Sequence, residues 1–312
     1  MSETKAILLC GSRLALPAMR DLCFHQQLAV VAIPVNCEDF LQEVQALLKS
    51  TNIVIISVSK NDYADQLQKA IKKYGVGIGI MIGFSYKLAS SVYTLPAKGF
   101  FNVHPGPLPG YRGPDPIFRQ IANREPYASA TIHKVDNNFD TGQIVLSEKI
   151  PLLFTDTHGI VTSKLSELSA RLVGILLKMC SFDMAIPSRV QDETKAVYYK
   201  RQSAPDISID WQNMDAARIV ALINACNPWN KGAVAKLNGR LIRLVSAMQI
   251  ELPEVINKVA GMIVSFDENS VVISTIHQQA ICVQIIYSED GFMMASRLKE
   301  LKVVTGMRFE NV

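Results

Sequence analysis

Ala6-Ile-Leu-Leu-Cys10, Ala29-Val-Val-Ala-Ile33 and Ile53-Val-Ile-Ile-Ser57 are short, continuous apolar runs, and what lies between them decides the fold class. Pro17 to Cys23 reads as a helix. Phe40 to Leu48 places apolar residues at 40, 41, 44, 47 and 48, and Tyr63 to Tyr74 repeats that spacing at 63, 64, 67, 70, 71 and 74. Gly77 to Ile82 is a further, glycine-diluted apolar run. Strands with no polar alternation are buried on both faces, and helices of roughly 10–15 residues between them supply the crossovers of a parallel sheet. The expected fold is therefore α/β, a doubly wound and mostly parallel sheet whose ligands bind beyond the carboxyl ends of its strands.

After Pro151 the pattern changes. Thr157 to Met179 is one long helical segment with apolar positions 160, 161, 165, 168, 172, 175, 176 and 179. Ser188 to Ser208 is polar and without a period, as expected of a linker on the surface. Asp215 to Cys226 reads as a short helix ended by Asn227-Pro228. From Ala233 onward, short alternating strands and the turn signals Asn238-Gly239, Asp267-Glu-Asn-Ser270 and Glu289-Asp-Gly291 predict a small antiparallel β-barrel. The expected organisation is a catalytic domain over 1–189, a linker over 190–205 and a C-terminal helix-plus-barrel domain over 206–312. Trp229, after Pro228, is expected to anchor that second domain.

Composition narrows the class. The length of 312 residues suits two domains, and 49% apolar with 19% charged residues is globular composition rather than disorder. The net charge, 32 − 28 = +4, makes no case for a nucleic-acid or polybasic membrane protein. The most apolar uncharged run, Tyr74 to Tyr86, is short of the roughly 18 residues a spanning helix needs. Ala6 to Cys10 is too short for a signal-peptide core. The six cysteines are scattered, with no C-x-x-C and no close histidine, and read as reduced thiols of a cytoplasmic protein with no metal site.

One stretch carries chemistry: Phe101-Asn-Val-His-Pro-Gly-Pro-Leu-Pro-Gly-Tyr-Arg-Gly-Pro-Asp-Pro-Ile117. Five prolines and three glycines between 105 and 117 make a stiff loop that is neither helix nor central strand. It follows the apolar strand end Gly99 to Val103, where this fold places its site. A second stretch, Ala130-Thr-Ile-His-Lys-Val-Asp-Asn-Asn-Phe-Asp-Thr-Gly142, runs from a strand into an acidic, amide-rich turn.

The patterns N-x-H-P-x-x-L-P-x-Y-R-G-x-x-P and T-I-H-x-V-D-x-x-x-D-T-G-x-I together resemble the folate-dependent formyltransferase family. Asn227-Pro-Trp-Asn-Lys-Gly-Ala233 resembles the start of the extra domain of its two-domain members, so the resemblance covers nearly the whole chain. It implies a catalytic trio of Asn102, His104 and Asp140. It also implies a 10-formyltetrahydrofolate co-substrate, with no metal, whose pterin lies beside Ile82, Gly83, Phe84 and Leu88 and the turn of Val135 and Asp136. Gly106, Tyr111 and Arg112 fall on the substrate loop, Arg112 as a loop-shaping residue.

The residue types suit the chemistry. Formyl transfer to an amine needs a donor for a carbonyl oxygen that becomes an oxyanion and a group to take a proton. Asn102 and His104 are two apart on a strand end and share a face, so amide and imidazole can converge on one oxygen. An aspartate on a neighbouring loop can orient the histidine and accept a proton, directly or through water. Plainer readings compete: Asp136 is near enough to rival Asp140, His133 reads as a packed core histidine, and Tyr111-Arg112-Gly113 could be a turn with a solvated charge. Gly75-Val-Gly-Ile-Gly79 enters a strand instead of leaving one, so its glycines read as sites of close approach, not as a dinucleotide loop.

Two departures from the family pattern bear on the acceptor. Methionyl-tRNA formyltransferases carry a basic insertion after the second strand, where this chain has the short, acidic Pro34-Val-Asn-Cys-Glu-Asp-Phe40. Residues 206–312 hold 10 basic and 11 acidic side chains, a net of −1, which disfavours tRNA. Gly106 stands where many members have serine. The expected acceptor is a small or carrier-linked primary amine, an amino-sugar nucleotide or an amino acid group. The alternatives are methionyl-tRNA and, in another class, a non-catalytic folate- or nucleotide-binding regulator. A formyl-folate hydrolase is disfavoured by the C-terminal domain. No membrane partner is expected, and oligomer formation is left open.

Overall fold

Each apolar run of the first half becomes a strand close to its expected ends. In the computed structural model, which describes residues 4–251 and 259–312, these are β1 (Ala6–Cys10), β2 (Leu28–Pro34), β3 (Val54–Val58), β4 (Ile78–Ile82) and β5 (Phe100–His104). The helices α1 (Leu16–Phe24), α2 (Glu38–Leu48), α3 (Tyr63–Lys73) and the single turn α4 (Ser90–Tyr93) connect them. After α5 (Pro116–Ala122), β6 (Tyr127–Lys134) and β7 (Ile144–Pro151) complete a seven-stranded sheet in the order β3-β2-β1-β4-β5-β6-β7. β1 to β5 are parallel, and β6 runs antiparallel to β5. The strand order reverses between β1 and β4, the point at which a doubly wound sheet opens a crevice at its carboxyl edge.

The alternation of side chains across the sheet sorts the core. Ile7 and Leu9 of β1 and Val30 and Ala32 of β2 pack with Leu67, Ala70 and Ile71 of α3, Val92 of α4 and Phe100 of β5. Helix α3 ends where its sequence says it must. Gly75 takes φ +62°, and the Val76 N–H reaches back to the Ile71 carbonyl at 3.0 Å, a left-handed stop that a side chain would disfavour. Lys72 and Lys73 sit in the last turn, where positive charge offsets the helix dipole.

Two compact units divide the chain. One comprises Met1–Pro116, Ala128–Ile150 and Thr162–Tyr199; the other comprises Ile117–Tyr127, Pro151–Val161 and Lys200–Val312. The long helix α6 (His158–Ser181) buries Val161, Leu165, Leu168, Leu172 and Leu176 as expected, but Ile160 and Ile175 are exposed. Val173, Leu177 and Cys180 are buried instead, because a stripe of successive i+3 and i+4 steps drifts around the helix.

In the second unit, α7 (Ala216–Ala225) is capped by Asp215, whose carboxylate accepts the Arg218 N–H at 2.7 Å. The strands β8 (Ala233–Leu237), β9 (Arg240–Glu251), β10 (Ile263–Phe266), β11 (Val271–Ser274), β12 (Gln279–Ser288), β13 (Gly291–Met294) and β14 (Phe309–Glu310) follow. They form a curled antiparallel sheet in the order β10-β11-β12-β9-β8-β14, with β13 on β12. Its ends meet: the Ile263 N–H donates to the Met307 carbonyl and the Phe309 N–H to the Gly261 carbonyl, both at 2.8 Å. Among the described residues of this sheet, that closure leaves no long open edge. Trp211, not Trp229, is the buried anchor of this unit, its ring tilted against that of Phe309 with ring centres 5.6 Å apart. Trp229 is 44% exposed and meets Phe118 edge-on. Among the described residues no helix is long and apolar enough to cross a membrane.

Of the three glycines read as sites of close approach, Gly77 and Gly79 serve it, whereas Gly75 has open space around it and ends α3 instead. A Cβ on Gly79 would overlap the ring of Phe100 on the neighbouring strand, and Phe100 is itself buried in the core. Gly79→Ala should therefore destabilise the first unit by about 1–3 kcal/mol, the usual cost of overpacking, in urea denaturation. Wild-type stability in that variant would mean the ring has room to move.

Candidate active site

The carboxyl end of β5 meets β6 running the other way, so Asn102 lies opposite His133 and His104 opposite Thr131. Beyond β6 the chain turns sharply and comes back, the Lys134 N–H bonding to the Gln143 carbonyl at 2.9 Å. Gly142 is obligatory in that reversal, since a Cβ there would collide with the Lys134 carbonyl. The turn carries Asp140 back onto the strand ends. Asp140 adopts φ +58°, a left-handed conformation that aspartate tolerates better than most side chains.

Three side-chain nitrogens surround one oxygen. Asp140 Oδ1 lies 3.4 Å from Asn102 Nδ2, 3.5 Å from His104 Nδ1 and 3.5 Å from His133 Nε2. Its other oxygen accepts the Gly113 N–H at 2.9 Å. The structure thus brings Asn102, His104 and Asp140 together, with Asn102 half-buried and the other two buried. It differs from the expectation that amide and imidazole aim at an open oxyanion position, because here they face the carboxylate.

The imidazole tautomers follow from the partners. His104 Nε2 is 2.7 Å from the Tyr111 carbonyl, which can only accept, so Nε2 carries the proton and Nδ1 is the basic nitrogen. His133 Nδ1 donates to the Lys134 carbonyl at 2.8 Å, leaving Nε2 to accept from Asn102 Nδ2 at 3.1 Å. Burial pushes His104 below the ordinary histidine value despite the raising effect of Asp140. For Asp140, burial acts upward, but the two histidines beside it and the Gly113 N–H outweigh it and bring the carboxyl down to about 2. At neutral pH Asp140 is a carboxylate.

The proline-rich loop is fastened residue by residue. Thr131 Oγ1 donates to the Gly106 carbonyl at 2.8 Å, and a Cβ on Gly106 would stand 2.7 Å from Pro116 Cβ and 3.2 Å from His104 Nε2. Tyr111 stacks on Tyr199, ring centres 5.4 Å apart. Arg112 is no solvated charge. It is buried, bonds both oxygens of Glu193 (Nη1 at 2.9 Å, Nη2 at 2.6 Å) and donates to Gln191 Oε1 from Nε and Nη2. The stretch read as a surface linker is mostly exposed, yet it runs along this loop: the Arg112 N–H donates to Val197, Tyr199 donates to Arg112, and Gln191 is buried.

Of the residues expected beside a pterin, Phe84 and Leu88 are buried in the α3-side core cluster and Val135 packs against it. Ile82 is buried at the end of β4. Gly83 takes φ +65° and is exposed at the crevice between β4 and β1, where a Cβ would lie 2.6 Å from Ser12 Oγ. Asp136 does not reach the His104 cluster. Its Oδ1 is held within its own turn by the Asn138 N–H at 3.1 Å and Thr141 Oγ1 at 2.7 Å, so it shapes the turn that presents Asp140. A groove of about 470 Å³ bounded by Lys5, Thr51 and Tyr74 lies at the opposite, amino-terminal edge of the strands and holds none of these residues.

This arrangement can be placed among known proteins. Residues 6–174 match the formyl transferase family model, and residues 203–298 match the model of the formyl transferase C-terminal domain. The chain belongs to the formyltransferase family. Methionyl-tRNA formyltransferase of Caldicellulosiruptor saccharolyticus is 27% identical over 246 residues, 79% of this chain and 77% of that protein. The enzyme of the same name from Stenotrophomonas maltophilia is 27% identical over 185 residues, so the chain covers only 60% of its length. Among solved structures, an N-formyltransferase from Helicobacter canadensis in complex with folinic acid and dTDP-3-aminofucose superposes with TM-score 0.69 at 17% identity, over 90% of this chain and 99% of that one. WlaRD, a sugar 3N-formyl transferase, gives 0.68 at 16% identity, over 91% and 98%. At such identities the likeness is one of fold.

Within this family member, Gln191 and His133 also meet the cluster around Asp140, and the sequence undervalued both. His133 alternates with core residues on a strand, which hides that its ring reaches Asn102. Nothing around Gln191 marks it, because its partners lie about 50 residues and more away in sequence.

The depressed Asp140 carboxyl has a consequence for stability. A carboxyl lowered in the folded state stabilises above its unfolded pKa, and the gain is lost as pH falls through the folded value. The stability difference between wild type and Asp140→Asn should therefore shrink by about 2 kcal/mol between pH 5 and pH 2, measured by urea denaturation. A difference constant across that range would show that the carboxyl is not held in this way.

Proposed function

We propose that the protein transfers a formyl group from 10-formyltetrahydrofolate to a primary amine, with 1–189 as the catalytic domain, 190–205 as linker and 206–312 as the C-terminal domain. The observation that carries this reading is the meeting of Asn102, His104 and Asp140 within 3.5 Å at the carboxyl end of β5. Membership of the formyltransferase family and relatives named as formyltransferases support it. Gly83, exposed at the end of β4 and followed by the buried Phe84 of the cluster that holds Leu88 and Val135, leaves room for the face of a flat ring, which is how a pterin would fit these residues.

The donor supplies the formyl carbon; the chain supplies the rest. One N–C bond forms to the amine and one breaks to the folate nitrogen, so a proton must leave the first nitrogen and one must reach the second. His104 Nδ1 takes the proton from the amine, since Nε2 is committed to Tyr111, Asp140 beside it stabilises the imidazolium, and the same proton is then given to the departing folate nitrogen. Asn102 has two N–H groups. The one toward His133 is well placed, whereas the 3.4 Å contact to Asp140 is long, so that hydrogen is the one available to an oxygen gaining negative charge.

For the acceptor we favour an amino-sugar nucleotide or another small or carrier-linked amine. Pro34 ends β2 and Glu38 starts α2, leaving three residues, one of them Cys37, where a tRNA-reaching basic insertion would stand. The resemblance to methionyl-tRNA formyltransferases supports tRNA as the second reading.

Incubation with 10-formyltetrahydrofolate and a panel of amines, scored by mass, should show the gain of one formyl group on a small amine, at a rate insensitive to moderate salt. Transfer to charged initiator tRNA that falls steeply with salt would select the second reading. Asn102→Ala and His104→Ala should each lower turnover by about 100-fold or more with folding intact. Unchanged rates in both would remove the mechanism.

A further inference from the structure

The Asp140 carboxylate is well held, yet its backbone sits in a conformation that a non-glycine residue adopts only when its surroundings enforce it. The enforcement comes from elsewhere in the chain. Gln191 follows α6 and is 5% exposed. Its Nε2 donates to the Asp140 carbonyl and to the Gly142 carbonyl, each at 2.8 Å, so both amide hydrogens go to the two ends of the turn. Its Oε1 accepts from Arg112 Nε at 3.2 Å and Nη2 at 2.9 Å, so the same side chain also grips the proline-rich loop.

From these contacts we infer that Gln191 is a positioning residue for the reaction, joining the Asp140 turn to the Tyr111–Gly113 loop so that carboxylate and imidazole keep their mutual placement. It touches no reacting atom. Its leverage comes from geometry: Tyr111 holds His104 through a carbonyl, Gly113 holds Asp140 through an N–H, and Arg112 lies between them in sequence. One amide thereby fixes both loops against each other. Glu193 adds the outer grip on Arg112 from the exposed side. Gly113 shows how close the packing is, because a Cβ there would collide with the Tyr199 carbonyl. A shift of about 1 Å between two catalytic groups is enough to cost on the order of 100-fold in rate.

The inference rests on the formyl-transfer reading for its kinetic arm only. Gln191→Met keeps the volume and removes every hydrogen bond. It should lower kcat for formyl transfer by about 100-fold while KM for the formyl donor changes by less than about threefold. A residue that served folding alone would reduce the amount of active protein without separating kcat from KM in that way once active-site concentration is titrated. Independently of activity, hydrogen exchange of the Gly113 amide, followed by NMR, should quicken at least tenfold or so relative to the β1 and β4 amides, because its carboxylate acceptor is released. If Gln191→Met does not fold, Glu193→Ala, at an exposed carboxylate, should quicken the same amide through a loosened Arg112. Wild-type kcat with unchanged Gly113 exchange in folded Gln191→Met overturns the inference. So does unchanged exchange in Glu193→Ala where the first variant fails to fold. Absence of formyl transfer in the wild type would sink the functional reading and leave the exchange result to decide this one.

Discussion

A buried carboxylate must be paid for in hydrogen bonds, and the organisation of the site follows from how Asp140 meets that demand. Burial raises the cost of its charge; a backbone N–H from the proline-rich loop and the Asn102 amide of β5 offset it, with the His104 and His133 rings packed around the same oxygen. These groups come from β5, β6 and the proline-rich loop, so satisfying one oxygen pair fixes the relative positions of a strand end, a loop and a turn. The residues that stabilise the charge are also those that the chemistry would use. A group that is stable only when surrounded is a group whose surroundings are specified.

The rest of the first unit serves that placement. A parallel sheet with helices on its faces ends all its central strands at one edge, and β6, antiparallel beside β5, brings a second strand's histidine level with Asn102. Gly79 and Gly142 are small because strand and turn come too close for a side chain. Gly106 belongs with them. Its lack of a hydroxyl, compared with the serine common in the family, is explained by Pro116 standing where a Cβ would go.

Much of the fold was legible in the sequence. The runs at 6–10, 29–33 and 53–57 became β1, β2 and β3 with shifts of a residue or so, because continuous burial on both sheet faces leaves an unbroken apolar signature. The two motifs also placed Asn102, His104 and Asp140 on chain segments that do meet. The reading failed where a role depends on partners remote in sequence. Gln191 lies in a polar, aperiodic stretch and looked like linker, and Trp229 was taken for the anchor that Trp211 provides.

Sequence by itself determined the element order, the parallel sheet, the closing antiparallel strands and the residue types at the site, since periodicity and turn chemistry are local properties of the chain. Tertiary structure alone decided which nitrogen of His104 is basic, which carboxylate faces it, and that a glutamine 51 residues from Asp140 holds its backbone. Those outcomes depend on which donors and acceptors remain unsatisfied after the sheet has assembled, and no local pattern in the chain encodes that balance.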